Sequence, residues 1–226
     1  MREPFNKVLV YQYGKVGSST ITHNGIGQYY PIPRLYYYHY IIQTHSHDVA
    51  KDILNKYSNV LVINIVRLPI DKNLSNFWEC INRHCPYYKE KDITYLNNLY
   101  NSLSYSVQYT DKWMEKFFET TDIDISNFKF DIDNKFTTFK KNNNTFLFFR
   151  FEDWDFIKEN TLPKFNIVIK NNYNEGKNKH YKEKYAKHKE IYKVSEKEES
   201  LIRDSKIMKL FYTQNEIDEH INKWSK

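Results

Sequence analysis

Three stretches of the chain are apolar without alternation: residues 8–13 (VLVYQY), 60–67 (VLVINIVR) and 145–151 (TFLFFRF). Runs of this length, rich in β-branched and aromatic residues, predict strands buried on both faces, as in the middle of a parallel sheet. Residues 36–44 (YYYHYIIQT) predict a further strand, and residues 166–170 (NIVIK) a short edge strand. Between these runs the period becomes helical. Residues 48–57 place Val49, Ile53 and Leu54 on one face, with Asp48 positioned as the N-cap. Residues 74–82, 95–120 (with Trp113, Phe117 and Phe118) and 196–224 (through Leu201, Ile207, Phe211, Ile217, Ile221 and Trp224) also predict helical regions. Residues 122–144 are polar and read as a hairpin or an insertion.

Strands alternating with helices predict an α/β layer fold with a central, mostly parallel sheet flanked by helices. A length of 226 residues fits a single domain spanning residues 1–226. In such sheets ligands bind beyond the carboxyl ends of the strands, and each chemically interesting motif here falls at such an end.

Charge narrows the choice only slightly. The formal net charge is +6, but it is spread along the chain, densest between Lys177 and Lys197, so it selects no partner class by itself. No apolar run approaches the roughly 20 residues needed to span a bilayer, and the first residues lead straight into a strand, which leaves no room for a signal peptide. Cys80 and Cys85, with His84 between them, form neither a disulfide framework nor a complete ligand set. They read as ordinary thiols, with no metal expected.

The first motif, Tyr13-Gly14-Lys15-Val16-Gly17-Ser18-Ser19-Thr20, lies between a strand and a predicted helix. Such a loop can turn backbone N–H groups toward an anion. Gly17 would allow close backbone approach, the three hydroxyls add donors and Lys15 adds charge. A strand–turn–helix junction with a solvated lysine would give the same letters. The lysine precedes the inner glycine, so this is not the GxxxxGK[ST] triphosphate loop. Arg67, and no carboxylate, follows the VLVINIV run, which disfavours a metal-dependent NTPase.

The order Lys15-x-Gly17-Ser18-Ser19 resembles the 5′-phosphosulfate loop of sulfotransferases that use 3′-phosphoadenosine 5′-phosphosulfate (PAPS). Arg67, Pro69, Ser75 and Phe77 are similar to the 3′-phosphate motif of the same family, with Leu68 departing from its usual polar residue. The resemblance runs from Val8 to Trp224 and implies a P-loop NTPase-like, three-layer domain. It implies PAPS as donor without a metal, and a hydroxyl acceptor such as a glycan. Lys15, Val16, Gly17, Ser18, Ser19 and Thr20 would hold the phosphosulfate, and Arg67 and Ser75 the 3′-phosphate. Lys177 and Lys179, in the place of the family's basic loop, would contact donor or acceptor; a solvated charged helix reads as well there.

Gln43-Thr44-His45-Ser46-His47-Asp48 follows the second strand, where branches of the family carry a catalytic histidine. His45 is the expected base, with His47 as its alternate and Lys15 stabilising charge on the departing phosphate; imidazole accepts protons near neutral pH. Arg150, Glu152 and Asp153 are expected to tie the sheet end through ion pairs. No nucleic-acid partner is expected. The branch implied is carbohydrate or capsular-polysaccharide-type, or viral, acting in the cytoplasm or a viral factory, or in the Golgi lumen if the chain belongs to an anchored protein. Two other readings stay open: a small-molecule or nucleoside kinase-like enzyme, and a non-catalytic anionic-ligand-binding protein.

Overall fold

The computed structural model of the chain describes residues 5–24, 40–103, 107–171 and 179–226. It groups into two compact units, residues 1–67 with 114–174 and residues 68–113 with 175–226. In chain order the helices are α1 (Ser18–Asn24), α2 (His47–Lys56), α3 (Pro69–Glu79), α4 (Ile81–His84), α5 (Ile93–Ser102), α6 (Val107–Thr120), the single turn α7 (Trp154–Phe156), α8 (Lys182–Ile191), α9 (Glu196–Asp204), α10 (Lys206–Phe211) and α11 (Gln214–Trp224).

The first unit is an α/β layer built on a five-stranded sheet. Its strands β1 (Lys7–Tyr11), β2 (Ile41–Thr44), β3 (Val60–Val66), β4 (Phe136–Lys141) and β5 (Asn144–Arg150) stand in the order β2-β1-β3-β5-β4. The first four positions in that order are parallel, and only the β4 edge is antiparallel. Every residue of β1, β3 and β5 is buried, which is why these runs show no polar alternation. The one polar residue inside β3, Asn64, is fully buried and donates through Nδ2 to the carbonyl of Tyr11 at 2.9 Å. That bond stitches β3 to the end of β1.

β4 and β5 form a hairpin with Lys141 opposite Asn144. Its two turn residues, Asn142 and Asn143, both have positive φ (49° and 61°), the type I′ signature that asparagine tolerates. Residues 122–144 thus end in a hairpin strand.

Local chemistry moves several boundaries from their expected places. α2 is capped by Ser46, whose backbone is still extended and whose Oγ accepts from the N–H of Val49 at 3.4 Å; Asp48 lies inside the first turn. Residues 166–170 are not a strand. The Oδ1 of Asn24 accepts from the backbone N–H groups of both Lys170 and Asn171 at 2.9 Å, so a side chain takes donors that a ladder would need. Residues 95–120 hold two helices, α5 and α6, and residues 196–224 hold three. Of the strand expected over residues 36–44, the described part is β2; residues 36–39 lie outside the described residues.

The second unit is helical. Its core centres on Trp78 of α3, whose indole N–H donates to Nδ1 of His188 at 2.9 Å. With Nδ1 accepting, the proton sits on Nε2 and points at Oδ1 of Asn97, 3.1 Å away. Phe77, Tyr100 and Tyr192 pack edge-on around the same imidazole. The Lys-rich segment of α8 therefore carries one fully buried face position, His188, among its exposed lysines.

Candidate functional site

The order β2-β1-β3 reverses direction at β1. The chain leaves β1 toward β2 on one side, then returns to place β3 and β5 on the other. Such a switch point opens a crevice beyond the carboxyl ends of the two strands where the direction changes. Residues 12–17 leave β1 here and Arg67 leaves β3.

The loop's shape is set by its backbone. Gly14, Lys15 and Gly17 have φ of 95°, 60° and 82°. Left-handed φ is ordinary for glycine but unusual for lysine, and Lys15 is held there by its surroundings. Three residues supply that restraint. Gln12, fully buried, accepts the Gly14 N–H through Oε1 and donates through Nε2 to Ser18 Oγ at 2.8 Å, so its side chain spans the loop from start to finish. Arg67 donates through Nη1 to the carbonyl of Lys15 at 2.8 Å. Tyr13 accepts the Arg67 N–H on its hydroxyl at 2.8 Å.

Arg67 also lies over the ring of Phe151, 4.5 Å from guanidinium carbon to centroid. Phe151 is the first residue after β5, so the ends of three adjacent strands meet around one cation. The same ring explains Gly17: a Cβ there would sit 2.6 Å from Cε2 of Phe151. A side chain at this position would therefore collide with an aromatic ring.

On the other side of the loop, Nδ1 of His45 donates to the carbonyl of Gln12 at 2.6 Å. A carbonyl only accepts, so the proton resides on Nδ1 and Nε2 is the basic nitrogen. His45 is exposed, and its Cε1 would lie 3.9 Å from a Cβ built on Gly14. His47 is placed differently. Its Nδ1 hydrogen-bonds the hydroxyl of buried Tyr11, whose pKa burial pushes upward. Burial, and then the charge of Lys116, hold the imidazole of His47 below its ordinary range. His47 is a half-buried partner of Tyr11, whereas His45 stands at the loop.

Of the residues singled out in the sequence, Lys15, Val16, Gly17, Ser18, Ser19, Thr20, His45, His47 and Arg67 all belong to the first unit. Val16, Ser18 and Thr20 are buried, and Ser18 Oγ is already an acceptor for Gln12. Ser75 and Lys179 belong to the second unit. Ser75 is half-buried in the middle of α3, and Lys179 pairs with Glu79 at 3.2 Å, beside the Tyr181 hydroxyl that donates to the same carboxylate at 2.7 Å. Lys177 lies outside the described residues. Arg150 and Asp153 form the expected ion pair, Nε to Oδ2 at 2.6 Å, with both side chains at most one-tenth exposed. Cys80 and Cys85 are free thiols.

Sequence reasoning missed Gln12 and Phe151. A glutamine closing an apolar strand directly before a glycine loop is the available signal for the first, since a buried amide must find partners. For the second, only the sheet order brings the end of β5 beside the end of β3.

Among the described residues, no group of three or more His, Cys, Asp or Glu side chains is arranged to hold a metal ion, and no helix is long and apolar enough to cross a membrane. No protein-family model matches the chain, and neither a curated protein nor a solved structure matches it.

Proposed function

We propose that the chain is a PAPS-dependent sulfotransferase with a P-loop NTPase-like first unit, acting on a hydroxyl of a glycan or similar acceptor. The observation that carries this reading is the state of Arg67. One of its nitrogens is used to fix the Lys15 carbonyl, while its Nε is buried without a hydrogen-bond partner among the described residues. A guanidinium N–H left unsatisfied beside a cationic loop at a switch point suits an anionic ligand, because buried charged donors are costly unless paired. The residues thus fit a phosphate-bearing donor.

When bound, PAPS would supply the sulfuryl group. Arg67 would hold a phosphate by charge-assisted bonds, and Lys15 would contribute the positive charge of the loop. Ser19 and the backbone of residues 15–17 would add neutral donors. His45 takes the acceptor's proton on Nε2; the Gln12 carbonyl keeps Nδ1 protonated and fixes the ring's orientation. These roles need no metal ligand from the protein, since preorganised cations and N–H groups supply the electrostatics.

Calorimetric titration with adenosine 3′,5′-diphosphate tests the reading. Micromolar binding that is weakened in Arg67→Ala, together with transfer of labelled sulfate to a glycan panel, is the expected result. No heat with this nucleotide, or Mg²⁺-dependent binding of ATP in its place, would overturn it.

A further inference from the structure

The second unit contains a cavity of about 590 Å³ that plays no part in the reading above. This volume is in the range that holds small organic ligands. Its lining includes the apolar Leu103, Val107 and Leu201 and the charged Lys193, Lys197 and Glu198. All six belong to the same unit.

Glu198 is the unusual member. One carboxylate oxygen accepts a hydrogen bond from the hydroxyl of Tyr192, and the other, Oε1, is buried with no hydrogen-bond partner among the described residues. Burial raises the pKa of this carboxyl, as expected of an acid short of donors. A buried carboxylate oxygen is best satisfied by a charged donor, which brings a stronger bond and compensates the charge. Lys193 and Lys197, both exposed, line the same cavity and can receive an anionic group. A ligand carrying both charges can use all three groups.

We infer that this cavity binds a small zwitterion, its ammonium on Glu198, its anionic group toward Lys193 and Lys197, and an apolar body against Leu103, Val107 and Leu201. Two sources share this chemistry: an apolar amino acid or short peptide, and an amino sugar bearing an acidic group. The apolar wall favours the first. The inference is independent of the sulfotransferase reading, because it uses no residue of the first unit.

The test is titration of the full chain with leucine, leucinamide, N-acetylleucine and glucosamine 6-sulfate, followed by backbone and side-chain NMR shifts. Leucine is expected to bind in the millimolar range or tighter, with shifts at residues 100–103, 107–108 and 193–201. Both singly charged leucine derivatives should bind at least tenfold more weakly. Glu198→Gln keeps the acceptor for Tyr192 but removes the charge. It should weaken leucine at least tenfold while leaving the thermal midpoint close to wild type, and Lys193→Gln/Lys197→Gln should do the same. Preferential binding of the amino sugar would keep the zwitterion site and replace the amino acid as its source. Equal affinity for all four probes, no binding of any, or undiminished leucine binding in a folded Glu198→Gln variant would overturn the inference. Binding of adenosine 3′,5′-diphosphate should be unchanged in these variants.

Discussion

Arg67 donates through Nη1 to the carbonyl of Lys15, so the residue ending β3 holds the loop that leaves β1. One side chain thus links the shape of the loop to the cation beside it. Lysine in place of Arg67 would keep the charge yet lack the fork that binds a carbonyl and an anion together.

Arg67→Ala is therefore expected to weaken adenosine 3′,5′-diphosphate by about 10- to 100-fold, the span of one or two charge-assisted hydrogen bonds. Arg67→Lys should fall between this variant and wild type. Calorimetry on the two variants checks the order; equal affinity of Arg67→Lys and wild type would contradict the role of the fork.

Gly17→Ala meets two obstacles at once, a φ of 82° and a ring carbon 2.6 Å from the new Cβ. Together these should cost about 1–3 kcal/mol, and thermal midpoints should drop by about 2–4 °C for each kcal/mol. Phe151→Ala removes only the second obstacle. The double variant should consequently be less destabilised than the two single changes added together, and a double-mutant cycle measures the difference.

The two histidines should separate in kinetics. His45→Gln is expected to lower the transfer rate by about 10²- to 10⁴-fold, the usual worth of a general base, with nucleotide affinity retained. His47→Gln and Tyr11→Phe, which alter a pair set back from the loop, should change the rate by less than about tenfold. Comparable losses in His45→Gln and His47→Gln would show that the assignment of the base is wrong.

Acid should weaken the second unit through His188. Burial among aromatic residues lowers its pKa from 6.5 to about 4. Above pH 6.5 the imidazole is neutral in both folded and unfolded chains and makes no difference to stability. As pH falls from 6.5 toward 4 the unfolded chain takes up the proton first, and the loss approaches about 3 kcal/mol. Urea unfolding followed by Trp fluorescence should show this slope. His188→Asn, which keeps an acceptor for Trp78 but cannot titrate, should make the slope shallower, and His220, which burial likewise lowers to about 4, supplies the part that remains.

Much of the sheet was legible because burial on both faces leaves an unbroken apolar signature in β1, β3 and β5. The misread elements turn on hydrogen bonds that the apolar pattern does not show, one made by a distant side chain and one by a local cap. Asn24 claims the N–H groups after residue 169, so an apolar NIVIK stays out of the sheet. Ser46 rather than Asp48 caps α2 because the chain is still extended two residues past β2. In the candidate site, Lys15, His45 and Arg67 could be named from motif order. The work of Gln12 could not, since a glutamine carries no local sign that its amide will reach two residues ahead at one end and six at the other.

The strand that comes first in sequence occupies an interior place, paired on one flank from Val8 to Ile41 and on the other from Lys7 to Val60. During synthesis it must therefore wait for both neighbours. At about 5–20 residues per second, a ribosome leaves this greasy ribbon unpaired for several seconds before its second neighbour is translated. Until both neighbours are made, the two backbone edges of this strand have nothing to pair with.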